Sequence, residues 1–346
     1  MILPNPKGAN MQIAVTGGGG FLGQALCRAL VERGCQVRSL ARNTYQTLAA
    51  LGVHQDQVDL GNFAALSEAL RGADAVFHVA AKAGTWGDFR DYFDANVRGT
   101  RNLIAACHMN GVRTLIHTST PSVAHRGAAA VEGLSAEQAP LATRFKAIYP
   151  ATKLVAEQAV LEAHGQEGLA TVALRPRLIW GPGDNHLLPR LVERARAGKL
   201  RLVGDGGNRI DTTYIDNAVG AHLAAFDALH DKPKAKCGGK AYFISNGEPK
   251  PIADVINSLL RAAGAPMVHK LMPFRAAYWL GAACERAWRW LPLSGEPPMT
   301  RFLAEQLATP HWYDIGPARA DFGYQAKVSF IEGLKRLGEA QRAAAR

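Results

Sequence analysis

The sequence contains no run of about 18 uncharged apolar residues, so no membrane-spanning helix is expected. Cysteine is scarce and unpatterned: Cys27, Cys35, Cys107, Cys237 and Cys284 are odd in number and never spaced C-x-x-C. That excludes a disulfide scaffold and argues against structural zinc, so no metal is expected and the compartment reads as reducing and cytoplasmic. Cys27 and Cys107 fall in apolar helical patterns and read as small buried hydrophobes. Met1 to Asn10 is short, polar and proline-containing, which suits a tail better than a secretory leader. Neither an internal repeat nor a low-complexity tract is visible. Dense basic runs are missing too, although 40 Lys plus Arg against 29 Asp plus Glu gives a net charge of +11. Nucleic acid is therefore not an expected partner. Asp231 to Lys240 holds four lysines but lies between Pro233 and Gly238–Gly239, and reads as an exposed loop.

What is present is ordinary globular composition, 48% hydrophobic and 20% charged, over 346 residues. Apolar runs suited to strands occur at Gln12–Thr16, Gln36–Ala41, Val53–Asp59, Asp74–Ala80, Arg113–Ser119 and Leu169–Arg175. Helical spacing separates them at Gly20–Arg33, Phe63–Leu70, Tyr92–Met109 and Ala151–Ala163. Strands alternating with helices predict an α/β fold, a Rossmann-type doubly wound parallel sheet. After about residue 178 the pattern loosens. Helices are expected at Leu187–Ala197, Ala218–Leu229, Ile252–Ala263 and Phe330–Leu337. Short strands fit Leu200–Val203, Asp211–Ile215 and Ala241–Ser245, with Asp216 as an N-cap. The expected organisation is a tail (1–10), a dinucleotide domain (11–178) and a smaller C-terminal α/β substrate lobe (179–346), with some return crossings.

The first strand runs into Thr16-Gly17-Gly18-Gly19-Gly20-Phe21-Leu22-Gly23. Gly17 permits the tight turn, Gly20 lets backbone approach a pyrophosphate, and Gly23 lets helix and strand pack closely. The helix opened by Phe21 and Leu22 then offers free N–H groups to phosphate. A glycine cluster alone is weak, but here it follows a strand and opens a helix. About 20 residues past such a loop, NAD sites place a carboxylate for the ribose 2′-hydroxyl. This chain has Leu40-Ala41-Arg42 instead. Arg42 suits a 2′-phosphate, so NADPH/NADP+ is the expected cofactor. The alternative is a solvated Arg42 and a site that accepts either dinucleotide. Asp59-Leu60, after the third strand, could bound the adenine.

Tyr149-Pro-Ala-Thr-Lys153 places a phenol and an ammonium one helical turn apart, with Pro150 suited to a first turn. The ammonium is expected to lower the phenol pKa, so that Tyr149 exchanges a proton with a carbonyl or alcohol oxygen. Lys153 can also donate to a nicotinamide ribose. Thr118-Ser119-Thr120 ends a strand at the same sheet edge, where a hydroxyl could hold the reacting oxygen. Hydroxyls of this kind also simply form turns. His78 reads as a satisfied core residue, and His117 and His125 share no metal-ligand spacing with a carboxylate.

Together TGGGGFLG (16–23), HVAAKAG (78–84), NVRGT (96–100), HTSTPSV (117–123), YPATK (149–153) and LRPRLIWGPGD (174–184) resemble the extended short-chain dehydrogenase/reductases. Within that family the chain most resembles the 3β-hydroxysteroid dehydrogenase-like branch, and in it the bacterial reductases of long-chain olefin biosynthesis. The resemblance spans about Met11 to Leu337. It implies Tyr149 as proton donor, Lys153 as its electrostatic partner, and Thr120 as the triad hydroxyl where many relatives have Ser, with Ser119 as fallback. It implies Ala80 and Ala81 beside the nicotinamide, Pro176 in the cofactor loop, and Asn96 in a structural role. The implied reaction is NADPH-dependent reduction of a lipophilic β-keto acid, a 2-alkyl-3-oxoalkanoate, to the 3-hydroxy acid. Oxidation of a 3β-hydroxysteroid or sterol is the alternative. A nucleotide-sugar epimerase or dehydratase is a further one, as is a dinucleotide-binding regulator without turnover. Relatives often form homodimers through the two long helices near Tyr92–Met109 and Ala151–Ala163.

Phe274 to Leu291 (FRAAYWLGAACERAWRWL) places Arg275, Glu285, Arg286 and Arg289 within roughly a 100° arc, the rest being largely apolar. Three readings stay open: a core helix, a cap over a lipophilic pocket, or a peripheral membrane contact where Trp and Arg are at home. Pro292, Pro297 and Pro298 end the helix.

Overall fold

The computed structural model describes residues 10–231, 235–291 and 293–344. The N-terminal tail up to residue 9, Pro233 and Pro292 lie outside the described residues. Seven strands form the central sheet: β1 (Gln12–Thr16), β2 (Gln36–Ala41), β3 (His54–Gln57), β4 (Ala75–His78), β5 (Thr114–Thr118), β6 (Ala170–Pro176) and β7 (Ala241–Ile244). Their order is β7-β6-β5-β4-β1-β2-β3, and every pairing is parallel. Chain direction across the sheet reverses between β1 and β4, the position at which such sheets bind ligands.

Both faces of this sheet are covered, which is why its strands read as continuous apolar runs. Ile13 and Val15 enter one core with the Phe21–Glu32 and Ile215–Asp231 helices. Ala14 enters the opposite core with Leu66, Leu103 and Val160 of the helices Phe63–Ala69, Gly99–Met109 and Ile148–Glu162. Strand β7 comes from the second half of the chain but joins this sheet. Its Tyr242, Phe243 and Ile244 are all buried, so it needs cover on both sides. A second, four-stranded sheet combines Val131–Leu134 with Arg209–Ile210, Lys250–Pro251 and His311–Tyr313.

Three local details differ from the sequence reading. The Tyr92–Met109 helix is interrupted by a π-helical turn, Phe93–Arg98, whose Asn96 side chain is drawn away to other partners. The helix carrying Tyr149 begins at Ile148, three residues earlier than expected, because Pro150 sits comfortably in a first turn. Asp216 is no N-cap: its helix starts at Ile215, and the Asp216 carboxylate pairs with Arg336 at 3.1 Å.

Candidate active site

The turn after β1 is built around glycines that cannot be exchanged without moving backbone. Gly17 has φ +69°, and a Cβ there would stand 2.8 Å from the Ala80 backbone. Gly23 lies so close to the Gly17 carbonyl that no Cβ fits between helix and loop. Around Gly20 only the Gly17 oxygen approaches, at 3.4 Å, so its outer side stays open to a ligand. Gly20 caps the Phe21–Glu32 helix without a side-chain hydrogen bond, and the first turn carries no acid. Its amide donors therefore remain available to an anion. Leu22 is buried in the core, and Phe21 is half-buried beside the loop. This cradle fits a dinucleotide pyrophosphate.

Strand β2 ends at Ala41, with no carboxylate to meet a ribose 2′-hydroxyl. Arg42 is exposed and has no ion-pair partner among the described residues. Asp59 is engaged in its own turn, accepting from the Gly61 amide at 2.7 Å, and the Leu60 carbonyl accepts from Asn102 at 2.8 Å. Ala80 donates its amide to Thr16 Oγ1 at 3.2 Å and backs the glycine turn, while Ala81 beyond it is exposed. Pro176 closes β6 opposite Ile244. Two residues later Leu178 adopts φ +44°, a conformation a bulky side chain takes only under constraint.

Thr120 follows β5 and caps the short 3-10 turn Pro121–Ala124, accepting from Ser122 N at 3.2 Å. Its hydroxyl faces the Tyr149 phenol closely enough to pull that phenol's pKa down. Ser119 is buried with an unpartnered hydroxyl, so Thr120 is the hydroxyl that meets Tyr149. Lys153 is 2% exposed. Its Nζ donates to the Thr118 carbonyl at 2.7 Å and lies 3.2 Å from His117 Nε2. Burial pushes the Lys153 ammonium down to about 7, against the opposing pull of Glu157 one turn on. One expectation is corrected here. The Tyr149 phenol is raised rather than lowered, because desolvation outweighs the opposing influence of the Thr120 hydroxyl. A protonated phenol is the form needed to donate a proton.

Beneath this pair lies a polar row that residue spacing alone does not announce. His117 packs 5.0 Å from the His78 ring. His78 bridges Thr16 Oγ1 (2.7 Å) and Thr100 Oγ1 (2.9 Å), as befits a satisfied core histidine. Thr118 Oγ1 reaches His222 Nε2 at 2.9 Å, and the other His222 nitrogen donates to the Ala218 carbonyl. Asn96 accepts from the Lys82 amide, donates to the Lys82 carbonyl, and donates to Thr152 Oγ1 at 3.0 Å. It thereby ties the loop after β4 to the Tyr149 helix. A wide helical turn at such a position is common near functional sites. The signal that could have found His117 is period-two alternation: its side chain lies on the same face of β5 as Leu115, one pleat past Ile116.

Near the C-terminal helices, a cavity of about 420 Å³ is lined by Arg126, Lys146, Arg275, Tyr278, Trp279 and Glu305 among others. Lys146 pairs with Glu305 and stands 4.9 Å over the Tyr278 ring.

A dinucleotide cradle at the switch point, sharing a sheet edge with a Tyr/Lys helix, places the chain among the NAD(P)-dependent oxidoreductases of the extended short-chain dehydrogenase/reductase class. The chain belongs to the 3-beta hydroxysteroid dehydrogenase/isomerase family, whose model matches residues 14–274. It is 60% identical over 327 residues to a 2-alkyl-3-oxoalkanoate reductase of Stenotrophomonas maltophilia, covering 94% of this chain and 98% of that one. A protein of the same description from Shewanella oneidensis is 48% identical, over 93% of this chain and 84% of its own. Among solved structures, a UDP-glucuronic acid 4-epimerase from Bacillus cereus in complex with NAD superposes with TM-score 0.73 at 25% identity. That match covers 97% of this chain and all of the epimerase chain.

Proposed function

We propose that this chain reduces the ketone of a lipophilic 2-alkyl-3-oxoalkanoate to the 3-hydroxy acid, with NADPH as the reductant. The supporting observation is Thr120 facing Tyr149 one turn from buried Lys153, in a chain 60% identical to a 2-alkyl-3-oxoalkanoate reductase. When bound, the dinucleotide supplies hydride to the carbonyl carbon. Gly17, Gly20 and the first turn of the Phe21–Glu32 helix hold its pyrophosphate. Arg42, unpaired at the end of β2, takes the 2′-phosphate and favours NADPH over NADH. Thr120 and Tyr149 hydroxyls donate to the ketone oxygen and fix its position. Tyr149, half-buried and kept protonated by the desolvation of its phenol, then gives its phenolic proton to that oxygen as negative charge develops there. Charged Lys153 would stabilise the phenolate left behind and would donate to the nicotinamide ribose. His117 and the Thr118 carbonyl hold the Lys153 ammonium in place at the end of β5.

The test is a nicotinamide absorbance assay. Purified protein, with NADPH and separately NADH, is offered a 2-alkyl-3-oxo fatty acid. NADPH consumption at a higher kcat/KM than NADH is the expected result. No consumption, combined with NAD(P)+ reduction on a 3β-hydroxysteroid, would transfer the assignment to sterol oxidation.

A further inference from the structure

The Phe274–Trp290 helix is buried along only one narrow stripe. Ala277, Gly281 and Glu285, spaced four apart, are its buried residues. A Cβ at Gly281 would stand 2.7 Å from the Arg301 amide, so this stripe packs backbone-close onto the Arg301–Ala308 helix. Glu285, the one acid of the helix, is turned inward and held by Arg301 at 2.7 Å. It therefore does not share the polar arc read from the sequence.

The opposite side of the helix is unusual for a soluble fold. At about 100° per residue its centre falls on Trp279 and Trp290, which are 69% and 76% exposed. The two are eleven positions apart, about three turns, so both point the same way roughly 16 Å apart. Leu280, Leu291 and Leu293 are exposed beside them. Arg275, Arg286 and Arg289 flank the tryptophans on one side, all exposed and without an ion-pair partner among the described residues. Among the described residues of this helix no carboxylate lies on this face. A core helix would hide its tryptophans, and a solvated helix would not carry them in line.

We propose that this face docks on an anionic lipid surface. Tryptophan rings and leucines enter the interface, where an amphipathic ring is at home, and the arginines meet lipid phosphates or carboxylates. Charge complementarity selects lipid over a second copy of the chain: two such faces would set three unpaired arginines of each against the other, and the whole chain carries +11. The cavity lined by Arg126, Lys146 and Tyr278 lies under the N-terminal half of the same helix, with Arg275 and Trp279 in its wall. Docking would thus open a lipid-facing path for an amphiphilic acid, its anionic head toward the basic wall.

The experiment is binding of the full chain to vesicles of phosphatidylcholine containing about one-third phosphatidylglycerol, by co-sedimentation and by quenching of tryptophan fluorescence with brominated lipid. Binding is expected, with quenching of the wild type that disappears in W279S/W290S. That double variant should lose at least about tenfold in partitioning. Arg286→Gln and Arg289→Gln should each cost about fivefold and weaken the dependence on anionic lipid. These exposed changes serve as the second arm should the tryptophan variant fold poorly. Failure to bind at low salt would overturn the proposal, as would equal binding by all variants, or a helix-dependent dimer in place of vesicle binding. Turnover of a short, water-soluble 3-oxo acid by Arg289→Gln should match wild type, which keeps loss of docking separate from loss of catalysis.

Discussion

The carboxyl edge of the central sheet and the Phe274–Trp290 helix both concentrate basic and aromatic side chains, and they use them in opposite ways. At the sheet edge Lys153, His78, His117 and His222 are all at most 2% exposed and bonded to one another or to threonines and carbonyls. On the helix Arg275, Arg286, Arg289, Trp279 and Trp290 face solvent. Burying a cation is costly unless each donor is satisfied, so the first group is fixed in place by the fold. The side chains of the second group make no hydrogen bond or ion pair among the described residues. Exposed apolar side chains arrayed on one face instead mark a surface that something else covers. The first region is organised for chemistry on a held atom, the second for contact.

The largest expected effect breaks the chemical region and leaves the other alone. Tyr149→Phe removes the proton donor but keeps the ring, and turnover of the 3-oxo acid should fall by about 10²–10⁴. NADPH affinity, followed by nicotinamide fluorescence, should stay within about twofold, because the lost group touches the substrate oxygen and not the pyrophosphate cradle. Undiminished turnover in this variant would remove Tyr149 from the reaction.

Next comes the dependence of stability on pH. Burial holds His78 down to about 3 and His222 to about 4, and pushes His117 well below its ordinary value. The unfolded chain protonates these rings near 6.5, so below that pH it binds more protons than the fold. The histidine contribution to stability is full above pH 6.5 and is lost as pH falls toward 4, by up to about 1.4 kcal/mol per unit for each ring. Asp211, raised to about 6 by burial, works the other way between about 6 and its ordinary 3.8, and cancels one ring over that window. Lys153, held down to about 7, adds a rise in stability between 7 and its ordinary 10.5. Urea midpoints of the dinucleotide-free protein at pH 8, 6.5 and 5 would check this. A midpoint unchanged from 6.5 to 5 would mean that the histidine row is solvated.

Much of the sheet edge was legible because sequence type and backbone demand coincide there. Gly17 and Gly23 are required by a positive φ and by a carbonyl in contact, and Tyr149 with Lys153 by one helical turn. The parallel strands declare themselves through two-sided burial. Less legible were features set by tertiary contact. The raised pKa of Tyr149 depends on how deeply the fold buries it, and a sequence pair Y-x-x-x-K says only that an ammonium is near. His117 and Asn96 acquire partners from other elements, Lys153 and Thr152, which spacing does not report. Likewise the inward turn of Glu285 depends on Arg301, sixteen residues on. The helical period placed it among the arginines, and packing removed it.

Arg42 sharpens the comparison from a third position, a cation exposed at the sheet edge. If it waits for a 2′-phosphate, Arg42→Ala should lower the NADPH-to-NADH ratio of kcat/KM by roughly 10- to 100-fold, the worth of a charge-assisted hydrogen bond. kcat with saturating NADPH should change little, since the 2′-phosphate is remote from the reacting carbon. An unchanged ratio would class Arg42 with the solvated arginines and leave the choice of dinucleotide to other groups.

The smallest effect is expected at Trp290, and it separates the two regions most cleanly. Trp180 is fully buried, with Tyr214 at 5.3 Å and Phe330 at 5.2 Å packed edge-on against it, so its ring belongs to the core. Trp290 has 76% of its surface in water and donates no described hydrogen bond. Trp290→Ser should therefore shift stability in lipid-free buffer by no more than about 0.5 kcal/mol, as surface changes do. A large ring that costs nothing to remove from the fold is a ring the fold does not use. A loss of several kcal/mol in a urea titration would instead make Trp290 part of the packing, and would take from the helix the unused face on which lipid docking rests.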